Sequence, residues 1–283
     1  MTSDFSGDVS DFAYTFDYFR ELSPAFLSLV ALNNGVAFDA HRPLRYLELG
    51  FGHGVSLGVH AAANDGEYWG NDINPQHVAF ASGLNSASGA KGQVLIDSFE
   101  DLLARQDVPQ FDLIALHGIW TWVGDADRDN ILEIARRYLK SGGLFYVSYN
   151  CHGGWGASVA LRELLRLHAE REGSPDAPMA ARIDGAIAFA KSIAAGGANY
   201  FKVHPRVVSQ LLRMEKLDRA YLTQEFFGSN WALSSFAEVV GRAREADLNY
   251  VGTTAFLLDD ESALGPEGAA VAAGITDPVL RQT

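Results

Sequence analysis

The stretch YLELGFGHGVSLGV, Tyr46 to Val59, constrains this chain more than any other. An apolar run, LRYLELG, leads into Gly50, Gly52 and Gly54, and a helix-patterned run, VSLGVHAAAN, leads out. A strand that turns through alternate glycines into a helix gathers bare backbone and the free N–H groups of a helix start at one point. Such a turn suits a ligand packed directly on the backbone at the carboxyl end of a strand in an open parallel sheet. Turns and close packing also use glycine, so this stretch alone leaves a structural role open.

The spacing narrows the ligand. Dinucleotide sites use G-x-G-x-x-G, whereas this turn is G-x-G-x-G. Glu48 stands two residues before it. A carboxylate there opposes a pyrophosphate and suits a cationic aminoacyl group. Asp72 closes the next apolar strand, YWGNDI, 18 residues after Gly54. An acid about 20 residues past the turn accepts ribose hydroxyls; a plain turn residue before Pro75 is the simpler alternative. Asp97 closes a third strand, GQVLID, where it accepts an adenine N–H or caps the following helix. Together these residues point to an adenosine ligand with an aminoacyl end.

The surrounding rhythm supports an open sheet. FDLIALHG reads as a fourth strand, and LFYVSYN as a fifth. ADRDNILEIARRYLKSGG reads as the helix between them, stopped by Gly142-Gly143. Strands alternating with helices imply an α/β fold with a parallel sheet covered on both faces. Residues 156–220 break the pattern with three helical segments. YLTQEFF and LNYVGTTAFLL then read as strands, around the capped helix SSFAEVVGRAREA. The chain therefore reads as a core over 1–155, a helical insertion over 156–220, and completion of the sheet with a tail over 221–283.

Composition excludes several classes. The net charge of −13 repels phosphates and argues against nucleic acid. A single cysteine, Cys151, rules out an intrachain disulfide and any multi-cysteine zinc site and fits a reducing compartment. No apolar run approaches the length of a membrane helix, and no basic-then-apolar leader opens the sequence. The cytoplasm is the expected location. DADRDN lacks the glycine and closing glutamate of a calcium loop, and no histidine pattern suggests a metal.

With these residues in place, a resemblance is plain. YLELGFGHG, NDINP, FDLIALHGIWTWV, LKSGGLFYVSYN and GGW resemble the class I S-adenosylmethionine-dependent methyltransferases. The likeness is to the branch with a methyltransferase regulatory domain, which includes rickettsial protein lysine methyltransferases acting on outer membrane protein. NYFKVHPRVV, YLTQEFF and SSFAEVVGRAREADLNYVG look like its regulatory region, so the likeness spans roughly residues 14–280. It implies a Rossmann-like, doubly wound, mostly parallel sheet of seven strands, with a helical insertion after the fifth. Members of the branch commonly run on past the final TDPVLRQT.

By resemblance, Glu48, Gly50, Gly52 and Gly54 hold the methionine end of S-adenosylmethionine. Asp72 holds the ribose, and Ile73 packs on the adenine. Asp97, Ser98 and Phe99 complete the adenine pocket. His117 and Gly118 face the sulfonium and the acceptor, and the product is S-adenosylhomocysteine. Trp120 and Trp122 offer aromatic faces to a cation, or anchor a core or lid. After the fifth strand, Tyr149 or Asn150 accepts a hydrogen bond from an amine, and His152 is a base for a hydroxyl; capping and packing are the alternatives. Tyr14, Phe16, Tyr18 and Phe19 form a lid or anchor the first helix. HGIWTW stands where many amino-methyltransferases carry Asn/Asp-Pro-Pro-aromatic, which argues against DNA-adenine and glutamine acceptors but not lysine.

Three readings follow. The first is a methyltransferase acting on a protein lysine. The second is a small-molecule or sugar O- or N-methyltransferase. The third is a non-catalytic S-adenosylmethionine-binding module. The glycine spacing and Glu48 disfavour an NAD dehydrogenase. The sequence names neither the acceptor nor the oligomeric state.

Overall fold

The computed structural model describes residues 16–174, 176–228, 230–255 and 264–283. They divide into two compact units. One holds Phe16–Tyr149 and Ser234–Thr283, and the other holds Asn150–Leu233.

The first unit alternates helix and strand in chain order: α1 (Pro24–Asn33), β1 (Leu44–Leu49), α2 (Val55–Ala63), β2 (Gly66–Asp72), α3 (Pro75–Ser88), β3 (Gln93–Ile96), α4 (Phe99–Ala104), β4 (Phe111–Leu116), α5 (Asp125–Tyr138) and β5 (Leu139–Val147). All five strands are parallel, in the order β3-β2-β1-β4-β5. The chain builds outward from β1 to β3, then restarts beside β1 on its other side. That switch point lies between β1 and β4, where open α/β sheets bind ligands at the carboxyl ends of their strands.

Alternating side chains give the sheet two covered faces. Leu47, Leu49, Ile114 and Leu116 join Ile131 and Ile134 of α5 in one buried cluster. Tyr46, Leu113, Ala115 and Tyr146 join Leu57 of α2 and Val78 of α3 in the other. The helix starts follow local sequence. Asn74 accepts from the Gln76 N–H, with Pro75 as the first residue of α3. Ser98 and Asp101 form a capping box for α4.

The second unit is helical: α6 (His152–Trp155), α7 (Val159–Arg171), α8 (Met179–Ala195), α9 (Asn199–Val203), α10 (Pro205–Met214), α11 (Arg219–Leu222) and a π-helical turn at Thr223–Phe227. Leu161, Leu165, Ile183, Ile187, Leu211, Met214 and Phe226 form its core. The remaining helices, α12 (Phe236–Glu245), α13 (Gly265–Ala273) and α14 (Pro278–Gln282), belong to the first unit. Among the described residues no helix is long and apolar enough to cross a membrane.

Four expectations differ from the structure. The described residues form five strands, so the expected seven are not all found among them. YLTQEFF is helical because Asp218 caps the Ala220 and Tyr221 N–H groups, and the π turn buries Gln224 to Phe227 in succession. Four consecutive buried residues resemble a buried strand in sequence. Of LNYVGTTAFLL, residues 248–255 form no strand, and 256–258 lie outside the described residues. Finally, α5 stops at Tyr138, and Gly142-Gly143 sit inside β5. Gly142 takes a positive φ of 78° beside a register shift between β4 and β5, so the pair forms a bulge in the strand.

Candidate cofactor site

The glycine turn links β1 to α2. Gly50, Gly52 and Gly54 have φ of 65°, 59° and 67°, a region that side chains disfavour. The Gly50 N–H donates to the Asn71 carbonyl at 2.9 Å, joining the turn to the end of β2. A Cβ at Gly50 meets Ile119 at 2.6 Å, and one at Gly54 meets Ala81 at 2.7 Å. Glycine is thus required by both conformation and space.

Glu48, on β1, is 3% exposed. Its Oε2 accepts from the Tyr46 hydroxyl at 3.0 Å, and Oε1 has no partner among the described residues. Burial pushes its carboxyl up to about 8, and the Tyr46 bond offsets part of that. A buried carboxylate with an open oxygen fits a cation, which removes the proton and supplies the missing partner. The sequence-predicted role at an aminoacyl ammonium is therefore chemically consistent with this position.

Asp72 ends β2. Its Oδ2 accepts from the Gly52 N–H at 2.8 Å, and Oδ1 accepts from the Asn74 N–H at 2.9 Å. Oδ1 also lies 3.2 Å from His77 Nδ1, on the first turn of α3. The carboxylate thus ties the glycine turn to the start of α3, and one lone-pair site remains on Oδ2. Ile73, beside it, is 56% exposed despite its apolar side chain, as a surface that receives a flat ring requires.

At the end of β3, Asp97 ion-pairs with Arg105 at 3.1 Å, and its carbonyl accepts from Asn71 Nδ2 at 3.0 Å. Asp97 is not the cap of α4; Ser98 is. The Ser98 N–H and hydroxyl both bind Asp101, at 3.2 and 2.7 Å, so its polar groups serve the helix start. Phe99 is half-buried against the cluster under α5.

At the end of β4, His117 Nδ1 lies 3.0 Å from the Tyr146 hydroxyl, and Phe19 stacks on its ring at 4.3 Å. Burial lowers the pKa of His117, while the charge of Glu21 raises it. Burial and Glu21 push Tyr146 up to about 12, offset by hydrogen bonds with Ser148 and Thr254. Gly118 donates its N–H to Ser148 Oγ at 2.7 Å. Phe16 lies 3.8 Å from the His53 ring, and the Phe19 N–H donates to Ser56 Oγ at 2.9 Å. The described part of the N-terminal aromatic segment therefore packs on the glycine turn and on the end of β4. Tyr14 lies outside the described residues.

Trp120 is a core residue. It is 1% exposed, donates to Ser234 Oγ at 3.2 Å, and lies under the guanidinium groups of Arg128 and Arg242. Its cations come from within the protein. Tyr149 packs at the margin of the same cluster. Asn150 and His152 belong to the helical unit. Asn150 donates to Glu225 Oε1 at 2.7 Å, and His152 is exposed as the first residue of α6. Sequence reasoning missed His77 and Tyr146. His77 stands in no recognisable motif, and Tyr146 shows in the sequence only as part of the fifth strand. Among the described residues no group of three or more His, Cys, Asp and Glu is placed to hold a metal.

Residues 47–143 match a family model described as a methyltransferase domain, and residues 218–283 match one described as a predicted methyltransferase regulatory domain. The chain thus carries a methyltransferase domain followed by a predicted methyltransferase regulatory domain. An uncharacterized protein of Synechocystis sp. is 33% identical over 281 residues, covering 98% of this chain and 54% of its own length. An uncharacterized protein of Rickettsia prowazekii is 27% identical over 154 residues, covering 54% of this chain and 61% of its own. The structure of PKMT2 from Rickettsia typhi in complex with AdoHcy is similar with a TM-score of 0.81 at 22% identity, covering 95% of this chain and 51% of that one. The chain spans about half the length of that Synechocystis protein and of PKMT2.

Proposed function

We propose that this chain carries out S-adenosylmethionine-dependent methyl transfer to a protein lysine. The carrying observation is the convergence of Glu48, the glycine turn and Asp72 at the switch point of the sheet. The cofactor supplies an activated methyl group on a sulfonium. Glu48 receives the ammonium of the methionine end, the turn gives the cofactor bare backbone, and Asp72 Oδ2 receives a ribose hydroxyl. Ile73 and Phe99 offer apolar surface to the adenine beside Asp97 and Ser98.

An amine acceptor must lose a proton before its lone pair can react. We assign that proton to His117 Nε2, with Nδ1–H donating to the Tyr146 oxygen. Burial holds the His117 pKa below the usual imidazole range, which keeps the ring neutral and able to accept, and the charge of Glu21 offsets part of that burial when the imidazolium forms. Tyr149, two residues past the end of β5 at Val147, is a candidate to accept a hydrogen bond from the amine. Asn150 donates its Nδ2 to Glu225, which fixes the amide and leaves Oδ1 as the atom that would accept; His152 is a weaker candidate, since it stands exposed on a helix start. The lysine acceptor is supported by the likeness to PKMT2 and by a net charge of −13, which favours basic substrates. The single Cys151 suits the cytoplasm.

The test is incubation with methyl-labelled S-adenosylmethionine and a panel of basic and outer membrane proteins, followed by mass spectrometry. Label on lysine supports the proposal. Label only on small molecules or sugars rejects the acceptor while keeping the cofactor.

A further inference from the structure

We propose that His77 is a positioning residue for cofactor binding. It sets the Asp72 carboxylate so that Oδ2 is the oxygen left open to a ribose hydroxyl. This rests on the S-adenosylmethionine reading of the site.

The direction of the contact follows from the chemistry. An ionised carboxylate only accepts hydrogen bonds. The 3.2 Å contact therefore runs from His77 Nδ1–H to Asp72 Oδ1. The Asn74 N–H reaches the same oxygen at 2.9 Å, so both of its lone-pair sites are filled. Oδ2 receives only the Gly52 N–H, at 2.8 Å, and keeps one site beside the glycine turn. Without His77 an Oδ1 site falls vacant, and only the two backbone N–H groups of Gly52 and Asn74 hold the carboxylate plane.

A histidine is a poor choice here for packing alone. His77 is 6% exposed, and its Nε2 is buried without a partner among the described residues. An apolar side chain fills the space without leaving a polar atom unsatisfied. Among the described residues the one hydrogen bond its ring makes is the bond to Asp72. The ring is also held in place. His53 packs on it with ring centroids 4.6 Å apart, and Phe16 and Phe80 flank His53 at 3.8 and 5.3 Å. The Asn74 cap and Pro75 fix the first turn of α3, which carries it. Packing thus fixes Nδ1, and Nδ1 joins the Gly52 and Asn74 N–H groups in holding the carboxylate.

The experiment is calorimetric titration of S-adenosylhomocysteine into the wild type, His77→Leu, His77→Ala and His77→Asn, with thermal melting of each. Leu and Ala remove the donor, and Leu keeps most of the volume. Asn restores an N–H close to the imidazole Nδ1 position. The expected result is about tenfold weaker binding for the folded Leu or Ala variant, the loss of one hydrogen bond to a charged group. His77→Asn recovers most of the affinity. Wild-type affinity in a folded Leu or Ala variant overturns the proposal, as does a folded Asn variant as weak as they are. A folded wild type that binds no S-adenosylhomocysteine overturns the cofactor reading itself, and the proposal with it.

Discussion

Tyr46 donates its hydroxyl to Glu48 Oε2 at 3.0 Å, two residues along β1 on one face of the sheet and wholly within the core. The pair holds a carboxyl group where burial lifts its pKa to about 8.

That shift predicts a pH dependence of stability. Below about pH 4 both folded and unfolded chains hold the proton. Between about pH 4.3 and the folded value of about 8, the unfolded chain has released a proton that the folded chain keeps, so stability falls as pH rises. Glu48→Gln removes this loss and keeps an acceptor for Tyr46. The variant unfolds at higher temperature than wild type at pH 8, by the equivalent of a few kcal/mol at most. Its S-adenosylhomocysteine affinity drops roughly ten- to hundredfold, because the charged partner of the ammonium is gone. Melting curves across pH and calorimetry check both halves.

Asp112 gives the opposite sign at the far end of β4. It is buried, and burial raises its pKa. The Arg45 N–H, Lys140 and Arg42 together outweigh that and hold it below the usual carboxylate range. Its contribution is therefore present above about pH 4 and lost as pH falls through the folded value. Asp112→Ala costs roughly 1–3 kcal/mol, chiefly by leaving the Arg45 N–H without its acceptor, since Arg42 and Lys140 are part-exposed and regain water. Denaturant unfolding at pH 7 measures the loss. Cofactor affinity of the folded fraction stays near wild type, because Asp112 sits at the amino end of the sheet.

Trp120 separates the core reading from the sulfonium reading. Trp120→Phe removes the bond to Ser234 and weakens the packing under Arg128 and Arg242. The expected loss is ~1–3 kcal/mol of stability. S-adenosylmethionine and S-adenosylhomocysteine then bind as in wild type. A selective loss for the sulfonium form contradicts the placement.

Gly54→Ala combines a positive φ with a Cβ 2.7 Å from that of Ala81. It destabilises by roughly 2–4 kcal/mol through backbone strain and overpacking. Gly35→Ala, with φ 75° and open space, carries the strain alone and costs less. Paired unfolding curves isolate the packing contribution.

The sheet was legible where hydrophobic pattern and turn chemistry agreed. β1, β2, β3 and β4 fall within two residues of their expected bounds because each is a short apolar run ended by glycine, proline or an acid. The glycine turn was legible as a turn because three alternate glycines between a strand pattern and a helix pattern mark backbone of positive φ. Thr223–Phe227 misled because its π turn buries four side chains in a row. Gly142-Gly143 misled because a bulge and a helix stop draw on the same residue. The supports of the site were hidden for another reason. His77 to Asp72, Tyr146 to His117 and Arg105 to Asp97 join separate elements, and no local pattern records which ends the fold brings together.

The most direct measurement is calorimetric titration of S-adenosylhomocysteine into the wild type and Asp72→Ala, with NAD as the control. The account predicts micromolar binding of S-adenosylhomocysteine, at least tenfold weaker in the variant because a charged hydrogen bond is lost, and no binding of NAD. A folded wild type that binds NAD, or binds neither ligand, contradicts it.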